Sequence, residues 1–178
     1  AVVGILGTGS IGKETAKRLR PFGCEIRGWR RNPGYVEGFD VVETGSEGLE
    51  RILKESDIIV IALPLTNETR HLLDQKKLSL LKPEALLINV ARGAIIDQDA
   101  LVQLLQEKKI RGAGLDVMTP EPLPEDHPLW KLENVYITPH NASSSPFMQR
   151  RLTDLIIHNL TKYLEDGVVD YVVFPSQN

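Results

Sequence analysis

The sequence predicts an α/β fold: a doubly wound parallel sheet with helices on both faces, three layers in the order αβα. Three observations predict it. Short apolar runs alternate with helical segments along the chain, the pattern of successive βα units. One run, Asp57-Ile58-Ile59-Val60-Ile61-Ala62-Leu63, is apolar at every position after Asp57, as a parallel strand buried on both faces should be. And Val2-Val3-Gly4-Ile5-Leu6 leads directly into Gly7-x-Gly9-x-x-Gly12 and a helical pattern, which reads as strand, tight turn, helix. The 178 residues suffice for one domain with a sizeable core, and the expected domain spans 1–178.

Taken in order, the first strand is followed by a helix with Ile11, Ala16 and Leu19 on one face. Cys24 to Trp29 reads as the second strand, with Cys24 a buried core thiol. Arg30 to Gly38, holding Pro33 and Gly34, reads as loop, and Val41-Val42 as a short third strand. Ser46 to Glu55 is helical, with Leu49, Ile52 and Leu53 together on one side. After the Asp57–Leu63 strand, Asn67 to Leu81 carries helical spacing that Pro83 stops. Ala85 to Val90 is a strand. Asp97 is a good N-cap for a helix through Lys108 that groups Leu101, Leu104 and Leu105. Gly112 to Val117 and Val135 to Thr138 are strands. The proline-dense stretch between them (Pro120, Pro122, Pro124, Pro128) reads as a stiff loop within one sheet, not a linker. A last helix runs from about Pro146 to Asp166 with Leu152, Leu155, Ile156, Leu160, Tyr163 and Leu164 on one face, and Gly167 ends it.

Composition excludes several function classes. The chain is 42% hydrophobic and 25% charged with net charge −3 and no basic tail, so nothing points to nucleic acid. No apolar run approaches the roughly 20 residues of a membrane span. One cysteine cannot form an internal disulfide. The chain begins with Ala directly on a strand, as a piece of a longer protein would.

The glycine turn suits a dinucleotide. Gly7 permits the turn, Gly9 lets a pyrophosphate approach bare backbone, and Gly12 lets helix and strand pack closely, while the helix start offers free N–H groups and a dipole that favour anions. This is a Rossmann-type arrangement. An NAD site usually presents a carboxylate to the ribose hydroxyls about 20 residues beyond the glycines. Here Arg30 and Arg31 stand there, directly after Trp29. A guanidinium binds a 2′-phosphate bidentately, so NADP(H) is the expected cofactor, with NAD(H) possible.

Ligands in such folds lie beyond the carboxyl ends of the strands, and three more strand ends carry chemistry. Arg92 follows Asn89-Val90-Ala91, Glu121 follows Leu115-Asp116-Val117, and His140 follows Thr138-Pro139. An Arg, a carboxylate and a His on one edge can bind an anionic carbonyl substrate and move a proton. His71, expected within a helix, His127 before Pro128 and His158 on the last helix have simpler readings as surface or packing groups.

Asn89-Val90-Ala91-Arg92-Gly93, Leu115-Asp116-Val117 with Pro120-Glu121-Pro122-Leu123-Pro124, and Thr138-Pro139-His140 resemble the three active-site motifs of the D-isomer-specific 2-hydroxyacid dehydrogenases. Asp57 to Thr66 resembles that family's strand signature, except that Ala62 stands where the family often has His or Asn. The arginines after strand two and the Glu121–Pro124 loop lean toward its glyoxylate/hydroxypyruvate reductases. The resemblance implies that His140 protonates the substrate carbonyl, that Glu121 hydrogen-bonds His140 and favours its protonated form, and that Arg92 grips a small 2-oxo or 2-hydroxy acid. It implies that Asp116 holds the nicotinamide carboxamide, that Ser10 and Ile11 cover the pyrophosphate, that Leu63, Pro64 and Thr69 wall the cofactor, and that Val90 and Ala91 contact the nicotinamide side, next to Arg92 and His140. It further implies a homodimer for the intact protein, a cytoplasmic location, and a substrate lobe built mainly from residues preceding the glycine turn, to which the last helix and Val168 to Pro175 would lead back. Some relatives are nucleotide-sensing transcriptional corepressors that keep the same Arg, Glu and His, and no motif in these residues separates the two classes.

Overall fold

The computed structural model describes residues 1–172. Residues Ala1–Ala142 form one compact unit and a second begins at Ser143. The first unit is built on seven strands: β1 (Val2–Leu6), β2 (Glu25–Trp29), β3 (Val41–Glu43), β4 (Ile58–Ile61), β5 (Leu86–Asn89), β6 (Gly112–Leu115) and β7 (Val135–Ile137). They form a single sheet in the order β3-β2-β1-β4-β5-β6-β7, and every pairing is parallel. Its helices are α1 (Ser10–Leu19), α2 (Gly45–Glu55), α3 (Gln75–Leu78) and α4 (Gln98–Gln106).

Side chains of a strand alternate between faces, and the core divides accordingly. Val3 and Ile5 of β1, Ile26 of β2 and Val60 of β4 join Ala16 of α1, Val36 and Phe39 on one face. Leu6, Ile59, Ile61 and Leu87 point the other way, into a larger cluster with Leu49, Ile52 and Leu53 of α2, Leu78 of α3 and the leucines of α4. Helices thus cover both faces, and the predicted αβα layering holds. Asp97 caps α4 by accepting the Ala100 N–H at 3.1 Å.

The winding reverses at β1, which pairs with β2 on one side and β4 on the other. Gly7 leaves β1 with φ 105°, and a Cβ there would lie 2.4 Å from the Ala62 carbonyl oxygen. A Cβ on Gly12 would lie 2.0 Å from the Gly7 carbonyl oxygen. Both positions exclude a side chain, the first also by backbone conformation.

Several expectations are corrected. Ile11 is 58% exposed rather than packed with Ala16; α1 buries only Gly12 and Ala16, because its first turn lies beyond the sheet edge. Asn67 to Leu81 is mostly turns, with only the four residues of α3 helical. The cause is competition for backbone donors. The Thr66 N–H binds Thr69 Oγ1 at 2.8 Å, the His71 and Leu73 N–H groups reach out to Ala94 and Ile95, and Leu73 bridges to Ile96. His71 therefore sits in a left-handed turn, φ 48°, not in a helix. Cys24 is half-buried.

In the second unit, α5 (Met148–Asp166) closes at Gly167, φ 68°, whose N–H binds the Tyr163 carbonyl at 2.9 Å. No residue of α5 is buried. Asp170 accepts from His158 Nε2 and Lys162 Nζ and donates its own N–H to Asn159 Oδ1. Val173 to Pro175, the end of the tail expected to return to a substrate lobe, lie outside the described residues.

Because the Gly12 position has backbone, not a movable side chain, in the path of a Cβ, Gly12→Ala should cost about 1–3 kcal/mol. Urea unfolding should show a lower midpoint with an unchanged slope; an unaltered midpoint would contradict the packing described.

Candidate functional site

The loops leaving β1, β2 and β4 enclose a cleft of about 560 Å³, within the range of small-molecule sites. Gly7, Gly9, Trp29, Arg30, Arg31, Leu63, Pro64 and Thr69 all line it, so eight of the sequence-predicted positions meet in one place. Asn32, Gly45, Thr66 and Glu68 line it too and were not anticipated. The helical reading of Asn67–Leu81 hid Glu68, which a turn presents to the cleft. A second hollow of about 430 Å³ continues from the shared wall of Ala62, Leu63 and Pro64 to Ile11, Val90, Ala91 and Arg92. The exposure of Ile11 is explained by this position.

Local hydrogen bonds fix the walls. Thr69 Oγ1 donates to the Pro64 carbonyl at 2.7 Å and accepts from the Thr66 N–H, which closes the turn after β4. Trp29 Nε1 donates to the Gly45 carbonyl at 2.9 Å. These residues fit a dinucleotide. The cap of α1, Gly9, places no side chain on the helix terminus, and its first turn holds no acidic residue, so the N–H groups and positive dipole of Ser10 to Gly12 remain available to an anion. A Cβ on Gly9 would meet nothing within 4 Å; bare backbone faces open space there.

The loops after β5, β6 and β7 build a second group. Asn89, fully buried, accepts the Ala91 N–H at 3.0 Å and donates to the Arg92 carbonyl at 3.0 Å. It turns the chain so that Arg92 is exposed. Arg92 uses Nη1 on the Ala91 carbonyl. Asp116, 5% exposed, binds Thr138 Oγ1 at 2.5 Å and the Asn141 and Ala142 N–H groups at 3.0 and 2.9 Å, so it ties the loop that carries His140 to the end of β6. His140 stands in that loop with φ 51°, a conformation disfavoured for its side chain and one that clusters at functional sites. Its Nδ1 lies 2.7 Å from Glu121 Oε2, and the pair borders a hollow of about 540 Å³ with Met118, Leu123 and Trp130.

Glu121 is itself held from two sides. Its Oε1 accepts the Met118 N–H at 2.8 Å. Gln98 of α4 pairs its whole amide with Thr119, donating to the carbonyl at 2.6 Å and accepting the N–H at 2.8 Å. In the sequence Asn89 stood out only within its motif and Gln98 not at all; polar residues in such numbers carry no mark of which will bind a loop backbone.

Electrostatics follow the geometry. Burial alone would raise the pKa of Glu121, but hydrogen bonds from His140 and Met118 and the charges of His140 and Arg92 outweigh it and hold the carboxyl below its usual range. The field of Arg92 thus reaches Glu121. As a carboxylate Glu121 only accepts, so His140 Nδ1 carries the hydrogen. Asp116 is likewise lowered: burial opposes ionisation, and the bonds from Thr138, Ala142 and Asn141 with the charge of His140 overcome it. The remaining histidines have structural roles: His127 Nδ1 accepts the Leu129 N–H at 3.2 Å, and His158 meets Asp170. Among the described residues no three His, Cys, Asp or Glu could hold a metal, and no helix is long and apolar enough to cross a membrane.

Comparison with known proteins agrees with this fold. Residues 1–142 match the family described as "D-isomer specific 2-hydroxyacid dehydrogenase, NAD binding domain". A glyoxylate reductase of Korarchaeum cryptofilum is 42% identical over 166 residues, 90% of this chain and 48% of its own length. The chain spans about half the length of the curated relatives it matches. Among solved structures, a D-isomer specific 2-hydroxyacid dehydrogenase from Xanthobacter autotrophicus in complex with NADPH superposes with TM-score 0.90 at 40% identity, covering 98% of this chain and 71% of the other. The NADPH-dependent glyoxylate/hydroxypyruvate reductase of Sinorhizobium meliloti, in complex with NADP and sulfate, gives TM-score 0.87 at 32% identity over 97% and 55%.

The lowered carboxyl of Asp116 makes a pH prediction. Its contribution to stability is full above about pH 4, the ordinary value of an unfolded Asp, and is lost as pH falls through the lowered folded value. Asp116→Asn should therefore flatten the fall in unfolding free energy below about pH 4, read by urea titrations across acid pH. An unchanged slope would count against the hydrogen bonds assigned to it.

Proposed function

The chain belongs to the D-isomer specific 2-hydroxyacid dehydrogenase family, and from that premise we propose that it is the cofactor-binding part of an NADP(H)-preferring reductase of small 2-oxo acids such as glyoxylate or hydroxypyruvate. The observation that carries the reading is the Glu121–His140 pair, 2.7 Å apart, on the same sheet edge as the glycine turn and within the field of Arg92. Nucleotide-sensing corepressors keep the same Arg, Glu and His, so what favours the enzyme over that alternative is that similar proteins include glyoxylate and glyoxylate/hydroxypyruvate reductases.

In this reading the pyrophosphate rests on Gly7, Gly9, Ser10, Ile11 and Gly12, and Arg30 and Arg31 beside Trp29 take the 2′-phosphate. Leu63, Pro64 and Thr69 wall one side; Val90, Ala91, Asp116 and His140 stand toward the nicotinamide. A carboxylate has about four lone-pair sites, and Asp116 commits three to its own loops, which leaves one for the carboxamide. The bound nicotinamide supplies the hydride.

The chain's own residues do the rest. Arg92, with one of its five N–H groups on Ala91, keeps the others for the substrate carboxylate and polarises its carbonyl. Glu121 occupies His140 Nδ1, so Nε2 is the nitrogen that gives a proton to the carbonyl oxygen. The negative charge of Glu121 stabilises the imidazolium that this step needs. A homodimer and a cytoplasmic location belong to the same proposal and rest on the family reading.

Two outcomes are expected. First, calorimetric titration should show NADPH binding more tightly than NADH, and Arg30→Asp with Arg31→Ala should erase or reverse the order; equal affinities in the unaltered protein would sink the cofactor assignment. Second, the protein to which these residues belong should oxidise NADPH with glyoxylate or hydroxypyruvate. His140→Ala should cut turnover by about 10²-fold or more. Glu121→Gln, which removes the carboxylate charge beside Nδ1, should lower turnover as well. Turnover indifferent to Glu121→Gln would overturn the pairing as a catalytic device.

A further inference from the structure

In the proposed cofactor cleft the two arginines are not equivalent. Arg31 Nη2 is bound to Oε2 of Glu68, whereas Arg30 has no ion pair among the described residues. Glu68 comes from the loop after β4 and Arg31 from the loop after β2, so the pair spans the cleft that both line. The placement of Glu68 is built. Its neighbour Thr69 is buried and bonded to Pro64 and Thr66, and the Arg70 N–H binds the Thr66 carbonyl at 3.0 Å, so a closed turn presents Glu68 to the arginines. Both charged side chains remain about two-thirds exposed, 68% and 70%, so the pair is weak and easily exchanged.

We propose that Glu68 is a specificity-determining residue of the cofactor cleft: its carboxylate occupies Arg31 until a 2′-phosphate displaces it, which tempers the preference for NADPH and keeps NADH acceptable. The inference rests on the dinucleotide reading above and deepens it. A 2′-phosphate carries about −1.5 to −2 charges at neutral pH. To reach Arg31 it must replace Glu68 and then share the cleft with the released carboxylate, a like charge. Both effects oppose NADPH and leave NADH untouched. With NADH the Arg31–Glu68 pair persists, and Arg31 is not left unpaired beside the bare ribose. Glu68 thus partly restores, from the far wall, the carboxylate that the end of β2 lacks.

The test is calorimetric titration of NADPH and NADH into the unaltered chain, Glu68→Gln, Arg31→Ala and the double variant. Glu68→Gln should tighten NADPH by about fivefold, the upper end for an exposed pair, with NADH changed less than about twofold. The gain should shrink as salt rises and vanish in the Arg31→Ala background, where there is no guanidinium to release. Because Glu68 is exposed, the urea midpoint should not move. If NADPH binds the unaltered chain but Glu68→Gln shifts both nucleotides equally, or neither, Glu68 does not discriminate. If neither nucleotide binds the unaltered chain, the cofactor reading itself fails and the inference with it.

Discussion

All-parallel pairing is the constraint on which the rest depends. Each strand of a parallel sheet ends on the same edge, so the residues that follow β1, β2, β4, β5, β6 and β7 are brought together from 134 positions of chain, Gly7 to His140. Reversal of the winding at β1 opens the crevice between the loops after β1 and β4. Gly7 makes that opening possible. It turns the chain at a φ no other residue adopts easily, against the backbone of Ala62, and releases α1 with its terminus facing the crevice. A sheet assembled in any other order would scatter the same residues.

The strand-end loops have little secondary structure, and their backbone groups still need partners. Side chains supply them. Asn89, Asp116, Glu121, Gln98 and Thr69 each bind the main chain of a loop that bears a site residue. Loops held this way lose little further freedom on binding, which is how positioning contributes to rate and affinity. The same bonds account for the lowered carboxyls of Asp116 and Glu121: donors aimed at a partly buried carboxylate outweigh the penalty of burial.

Legibility in the sequence followed the scale of the interaction. The seven strands, α1, α2 and α4 were readable because apolar runs and periodic leucines report burial directly; α5 was readable from the same spacing, although none of its residues is buried. Asn67–Leu81 was misread because its spacing is helical while its N–H groups are taken by Thr69, Ala94 and Ile95; that competition exists only once the loop after β5 lies alongside. Ile11 sits at a helical core spacing, yet the sheet edge ends before it.

What the amino-acid sequence determined by itself is the order of elements, the glycine turn, the absence of a carboxylate after β2 and the identity of Arg92, Glu121 and His140 as strand-end residues. These depend on local backbone preference and on burial, which a chain encodes residue by residue. Tertiary structure alone decided which groups touch: His140 Nδ1 on Glu121, Asp116 on the loop after β7, Gln98 on Thr119, and Glu68 on Arg31. Those contacts join residues between 19 and 37 positions apart. At such separations no local pattern marks a partner, and only the closing of the sheet brings the two side chains within reach.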